Sequence, residues 1–146
     1  MPDIQIADSD DDIRRCFPVM LHLRPHLVET EFVPRVRRMH DNGFILAMLE
    51  DEGEVRAVAG YRYLDLLFAG RVLYVDDLVT DPSQRSRGYG RALLNWLKDQ
   101  AKQHGCEKLT LDSGVQREAA HRFYFRERMA IAGYHFTMPL VDEHGA

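Results

Sequence analysis

The chain has 146 residues, 45% of them hydrophobic, with 19 basic and 23 acidic side chains for a net charge of −4. That length suits one domain with an ordinary core. The acidic balance, with a pI near 5.9, argues against general nucleic-acid binding but leaves room for a local basic pocket.

Two cysteines, Cys16 and Cys106, are too few for a disulfide scaffold or a cysteine-based zinc site. Each reads either as a small buried residue or as a reactive thiol. The start, Met1-Pro2-Asp3-Ile4-Gln5, has neither the basic nor the apolar region of a secretion signal. No apolar run approaches the roughly 18 residues that cross a bilayer. A cytoplasmic protein with no membrane partner is the expectation.

Ile4-Gln5-Ile6-Ala7 alternates and predicts a short edge strand. Residues 8–12 are acidic and precede a helical pattern at Ile13, Phe17, Met20 and Leu21. Carboxylates in a first turn suit the helix dipole; a cation site is the other reading. Pro18 inside the pattern predicts a kink or a split, and a kinked helix there could line a substrate groove. Arg24-Pro25-His26 breaks the helix. A second one is expected over 29–41, with Phe32, Val36 and Met39 inward and Arg35, Arg37 and Arg38 largely outward. That arginine face is either solvated or a contact for an acidic partner. Residues 44–49 read as a buried strand, Asp51-Glu52-Gly53 as a hairpin turn, and 55–65 as the returning strand. Ala57, Ala59 and Gly60 leave little side-chain volume there, either for close approach of a ligand or for packing under a helix.

Residues 73–104 organise the rest. Leu73-Tyr74-Val75-Asp76-Asp77-Leu78-Val79-Thr80 reads as a strand, which Asp81-Pro82-Ser83 stops. Leu93, Leu94, Leu97 and Ala101 then fall at helical spacing, and Gly105 lies just past the helix. Between strand and helix lies a loop with Arg85, Arg87, Gly88, Gly90 and Arg91. Helix N-termini present free N–H groups and partial positive charge. Glycine lets a backbone approach a phosphate. The stretch therefore reads as an anion site, against the plainer reading of a solvated basic loop. It is not a P-loop, because no Gly-Lys-Ser/Thr follows the glycines. It is not a dinucleotide fingerprint either, because Leu93 stands where the third glycine is needed.

Downstream, 108–112 alternates as a strand, and strand, helix, strand in succession implies a parallel pair with a right-handed crossover. Ser113-x-x-Gln116 matches a capping box and predicts the start of a further helix that carries Ala120, Phe123, Tyr124 and Glu127 on one side. Residues 131–140, with Tyr134, Phe136 and Met138, predict a final strand. The tail, 142–146, is expected to be loose.

Arg85-x-x-Gly88-x-Gly90, after a strand ending Leu78-Val79-Thr80, resembles the pyrophosphate-binding motif of the GNAT superfamily of acetyl-CoA-dependent N-acetyltransferases. Ala120-x-x-x-Tyr124, within Ala119-Ala120-His121-Arg122-Phe123-Tyr124, resembles that family's later helix with its catalytic tyrosine. The strong part of the resemblance covers 73 to about 136. It implies a single α/β domain over 1–146 with a mixed central sheet in the order β-α-α-β-β-β-α-β-α-β. In that family two parallel strands splay apart, and the cofactor's pantetheine arm lies between them.

The resemblance also implies roles. Backbone groups of Leu78, Val79 and Thr80 would pair with pantetheine and polarise the thioester carbonyl. The loop Arg85, Ser86, Arg87, Gly88, Tyr89, Gly90 and Arg91 would hold the pyrophosphate of acetyl-CoA. Tyr124 would act as general acid toward the sulfur; its other reading is a core aromatic. Asp76 and Asp77 sit in a strand, where aspartate is disfavoured. Alternation would point one carboxylate to each face. Asp76-Asp77-Leu78 is similar to the Glu-Asp ahead of the cofactor strand in spermidine/spermine acetyltransferases. Asp76 is assigned a catalytic proton relay and Asp77 the attraction of a cationic amine; arginine pairing is the alternative for both.

His121, one turn before Tyr124, either assists it or is structural. No histidine shows metal-ligand spacing, so no metal is expected. The sequence departs from the family at Arg117, where Asn is usual, and at Arg128 and Met129, where a glycine and an aromatic are usual. The expected activity is direct acetyl transfer to a primary amine of a small-molecule or peptide acceptor, with a homodimer left open. The rival readings are a non-catalytic acyl-CoA-binding or regulatory domain and a nucleotide-phosphate binder.

Overall fold

The computed structural model describes residues 2–141; the tail at 142–146 lies outside the described residues. Strand β1 (Asp3–Ile6) leads into helix α1 (Asp10–Leu23). Ser9 caps α1, its hydroxyl accepting from the Asp12 N–H at 3.1 Å, and Asp10, Asp11 and Asp12 fill the first turn. Their charges are met by Arg37, Arg14 and Arg15 respectively, so capping and ion pairing account for the acidic run. Pro18 does not split α1. Ile13, Cys16 and Phe17 before it and Val19 and Met20 after it are buried in one core cluster, which holds both halves in register despite the missing N–H.

Helix α2 (Glu29–His40) buries Phe32 and Val36. Arg37 turns back to Asp10 and to the Asp8 carbonyl while staying 41% exposed. Strands β2 (Ile45–Asp51), β3 (Glu54–Leu66) and β4 (Gly70–Thr80) form an antiparallel meander. Helix α3 (Tyr89–Gln103) then crosses to β5 (Lys108–Leu111), which runs parallel to β4. The five strands lie in the order β1-β2-β3-β4-β5. Their alternation splits the core: Leu46, Met48 and Val58 join the α1–α2 cluster, while Leu49, Ala57, Ala59, Tyr61, Leu73 and Val75 join the α3 cluster. Ala57 and Ala59 are thus small for helix packing.

The chain divides into two compact units, broken between Leu111 and Asp112; all five strands and α1–α3 belong to the first. The second contains α4 (Glu118–Arg126). This helix starts later than the capping box predicts. The Arg117 N–H closes a turn on the Gly114 carbonyl at 3.0 Å, and Ser113 Oγ finds no hydrogen-bond partner. The expected final strand at 131–140 is also not formed, since no strand follows α4 among the described residues. The alternating sequence is there, but a strand needs a ladder to satisfy its backbone, and no pairing reaches this segment.

Candidate active site

The paired part of β4 and β5 is short. Their register begins at Val72 with Lys108 and ends at Val75 with Leu111. Strand β4 continues through Asp76, Asp77, Leu78 and Val79 to Thr80. Over Asp77–Thr80 β4 pairs with β3 alone among the described strands, so its other edge offers N–H and C=O groups that no described strand takes. Leu78 packs toward the α3 cluster and Val79 toward the α1–α2 cluster; backbone, not side chain, faces that edge.

The strand stops where the sequence puts the stop. Asp81 accepts from the Ser83 N–H at 3.0 Å and from its hydroxyl at 2.9 Å, and Pro82–Gln84 form one 3₁₀ turn. Hydrogen bonds from Ser83 hold the Asp81 carboxyl below the usual range. The loop that follows is exposed from Arg85 to Gly88, and Arg91 is exposed as well. Gly88 is the N-cap of α3 at φ 80°, ψ 11°, with no side-chain cap. Ser86 also has positive φ, 69°. A left-handed glycine therefore delivers the chain into a helix whose first N–H groups no side chain caps, which is the backbone form of an anion site. Tyr89 is different from its neighbours. It is buried, and its hydroxyl donates to Asp51 Oδ2 at 2.6 Å, tying the loop to the β2–β3 turn. Any contact it makes to a ligand is through its backbone.

The two aspartates depart from simple alternation. Gly60 pairs with Asp77 but Tyr61 pairs with Val75, so Asp76 is the extra residue of a β-bulge. The bulge turns both carboxylates to the α1–α2 face. Asp76 is gripped through both oxygens by Arg62 of β3, at 3.0 and 2.6 Å, and that guanidinium lies 5.4 Å from the Phe44 ring centre. Asp77 accepts from Arg24 Nε at 2.8 Å, while Arg24 Nη2 donates to the Asp76 carbonyl at 3.0 Å. Burial raises the Asp77 pKa, with Arg24 opposing. Gly60 makes this possible: a Cβ there would strike the Phe44 ring and come within 2.8 Å of Asp77 Oδ2.

Arg24 and Arg62 escaped the sequence reading, since no spacing links them to the aspartates. The weak clue was Arg24 standing before Pro25, where a helix must end. Beside them lies a groove of about 230 Å³ between α1, α2 and the sheet, with Asp77, Arg24, His26 and Arg35 on an otherwise apolar lining that includes Met20, Phe32 and Phe44.

Tyr124 sits on α4 in the second unit. Burial raises its phenol pKa, with Arg117 opposing, so the hydroxyl stays protonated at neutral pH. Its ring meets Phe123 edge-on at 5.6 Å. His121 Nε2 lies 2.8 Å from the Gly114 carbonyl and donates there, which makes it a brace for the preceding turn.

The comparisons agree with this geometry. The chain matches the acetyltransferase (GNAT) family over residues 8–129. It is 31% identical over 134 residues to the uncharacterized N-acetyltransferase YhdJ of Bacillus subtilis (strain 168), covering 90% of this chain and 94% of that one. An aminoalkylphosphonate N-acetyltransferase of Salmonella typhimurium is 36% identical over 66 residues, 45% of this chain and 43% of that one. Among solved structures, the aminoglycoside N-acetyltransferase AAC(6')-Iy in complex with CoA superposes with a TM-score of 0.83 at 12% identity, over 95% of this chain and 94% of that one. Sequence motif, sheet order and family match converge, and the chain belongs to the GNAT family of N-acetyltransferases.

Proposed function

We propose that this chain, as one domain over 1–146, moves an acetyl group from acetyl-CoA directly to the amine of a small-molecule or peptide acceptor. The observation that carries the reading is the continuous path from the one-sided edge of Asp76–Thr80 into the glycine-opened start of α3. A linear cofactor with an amide-bearing arm and a pyrophosphate fits that path. The residues fit the group at both ends. Leu78, Val79 and Thr80 would pair with the arm through their backbone. Arg85, Ser86, Arg87, Gly88, Tyr89, Gly90 and Arg91 would hold the phosphates, with Gly88 admitting the close approach that any Cβ would restrict. Acetyl-CoA, when bound, supplies an activated acyl group and a thiolate leaving group.

The remaining work falls to side chains. Asp77 lines the groove, so it is assigned the acceptor's ammonium, whose proton must be lost before attack. Asp76, with both oxygens on Arg62, would relay that proton through water. Tyr124 would donate a proton to the departing thiolate. The groove also suggests the acceptor's shape. Arg35 and His26 have no partner among the described residues, and the walls are apolar. An amine that also carries an acidic group therefore suits it better than a polyamine, as the printed name of the aminoalkylphosphonate-acting relative would allow.

Thiol release from acetyl-CoA over a panel of aminoalkylphosphonates, amino acids, aminoglycosides and polyamines tests the reading. Release with an acidic amine, at a KM that rises on Arg35→Gln, is the expected result. CoA binding with no release across the panel overturns it.

A further inference from the structure

Two carboxylates and two guanidiniums meet on the α1–α2 face of the sheet, and their charges cancel. Asp76 engages Arg62 through both oxygens. Among the described residues, Arg24 is then the only hydrogen-bond donor to the Asp77 carboxyl, at 2.8 Å. The two partners differ in freedom. The Asp77 side chain is 12% exposed and that of Arg24 43%, so Arg24 is the one with room to move. Both line the groove, and Asp77 is the one carboxylate in its lining.

An amine that reaches Asp77 therefore finds the seat taken. If it brings only an ammonium, it must displace Arg24. The cluster then holds three cations, the ammonium, Arg24 and Arg62, against the carboxylates of Asp76 and Asp77, an imbalance that is costly away from bulk water. If it also brings an anion, the displaced guanidinium gains a partner and the charges still balance. Arg24 is built for that exchange. Its Nη2 donates to the Asp76 carbonyl at 3.0 Å, a bond that does not involve the Asp77 carboxyl. Its Nη1 has no hydrogen-bond partner among the described residues. A guanidinium with free donors takes a carboxylate or a phosphonate through two parallel bonds.

We propose that Arg24 selects the acceptor by ion-pair exchange: a zwitterionic amine splits the Arg24–Asp77 pair, placing its ammonium on Asp77 and its acid on Arg24. This rests on the acetyl-transfer function proposed above and narrows its acceptor. The bond to the Asp76 carbonyl keeps the guanidinium beside Asp77 as it pivots, so the two seats stay adjacent. Adjacent seats limit the spacer between ammonium and acid to about one or two carbons.

Steady-state thiol release from acetyl-CoA, with glycine, β-alanine, 4-aminobutyrate, 6-aminohexanoate, their phosphonate counterparts and propylamine as acceptors, tests this. The KM of the best short zwitterion should be at least about tenfold below that of propylamine, the worth of one charged hydrogen bond, and KM should rise with spacer length. Arg24→Met removes the charge and keeps the length. It should raise the KM of the short zwitterions at least about tenfold, lower that of propylamine, and leave that of acetyl-CoA unchanged. A merely structural loss would raise both acceptor classes together, and that result overturns the proposal. Release with propylamine or the long-spacer acceptors at a KM equal to or below that of the short zwitterions also overturns it, and leaves acetyl transfer standing. No release with any amine overturns acetyl transfer and this proposal together. The spacer series is read on the native chain, so it decides even if Arg24→Met fails to fold.

Discussion

The phenol of Tyr124 and the carboxyl of Asp77 are both shifted upward by burial, each against an opposing arginine. For Tyr124 the shift keeps a proton available for donation. Tyr124→Phe should spare CoA binding and lower kcat by about 10²–10⁴, measured where chemistry limits turnover; an unchanged kcat returns the residue to packing. For Asp77 the shift has a thermodynamic sign. A raised carboxyl pKa means that the folded chain keeps a proton which the unfolded chain has already released. That contribution is present below the unfolded value near 3.8. It is lost as pH rises through the higher folded value. The stability of the native chain relative to Asp77→Asn should therefore fall across this window, by urea unfolding, and flatten above it. A rise would mean that Arg24, not burial, governs the group. In kinetics, Asp77→Asn should raise the KM for the amine and leave that for acetyl-CoA unchanged. Asp76→Asn should cost about 1–3 kcal/mol of stability through the loss of a charged hydrogen-bonded partner for Arg62.

At the scale of elements, the sequence was most legible where local chemistry decides. Asp81-Pro82-Ser83 stops β4, Gly88 opens α3, and the Leu93, Leu94, Leu97 and Ala101 stripe names its buried face. It was least legible where distant residues decide. The Asp76 bulge depends on the β3 register, and the arginines that meet the two carboxylates come from 53 and 14 residues away in the chain. Pro18 does not split α1, because propensity is local, whereas the burial that holds α1 together is not. The phosphate loop gives the cleanest test of an element. Gly88→Val forces a branched side chain to φ 80° and should weaken CoA binding at least about tenfold by calorimetry, a cost of roughly 1–2 kcal/mol. No neighbour lies within 4 Å of an added Cβ, so the fold should survive. Unchanged affinity in a folded variant would mean that the phosphates are held elsewhere.

For the molecule as a whole, Cys16 offers a reporter. It is fully buried, and burial pushes its thiol up to about 12, whereas Cys106 is part-exposed. Iodoacetamide should label Cys106 first and Cys16 at least about 10³-fold more slowly, through global opening; comparable rates by peptide mass spectrometry would show that α1 opens alone. The Asp76 bulge has a larger reach still. Side chains and backbone groups both alternate along a strand, so one extra residue acts as a phase shift for everything after it. Pairing Asp76 in regular register with β3, with no bulge, would leave β4 intact as a ladder. It would also turn Leu78 and Val79 to the opposite layers, and exchange the odd-numbered and even-numbered backbone groups along the edge that β5 leaves unpaired. The chain's parity, set by a single residue, thus decides which carbonyls and amides a ligand meets there.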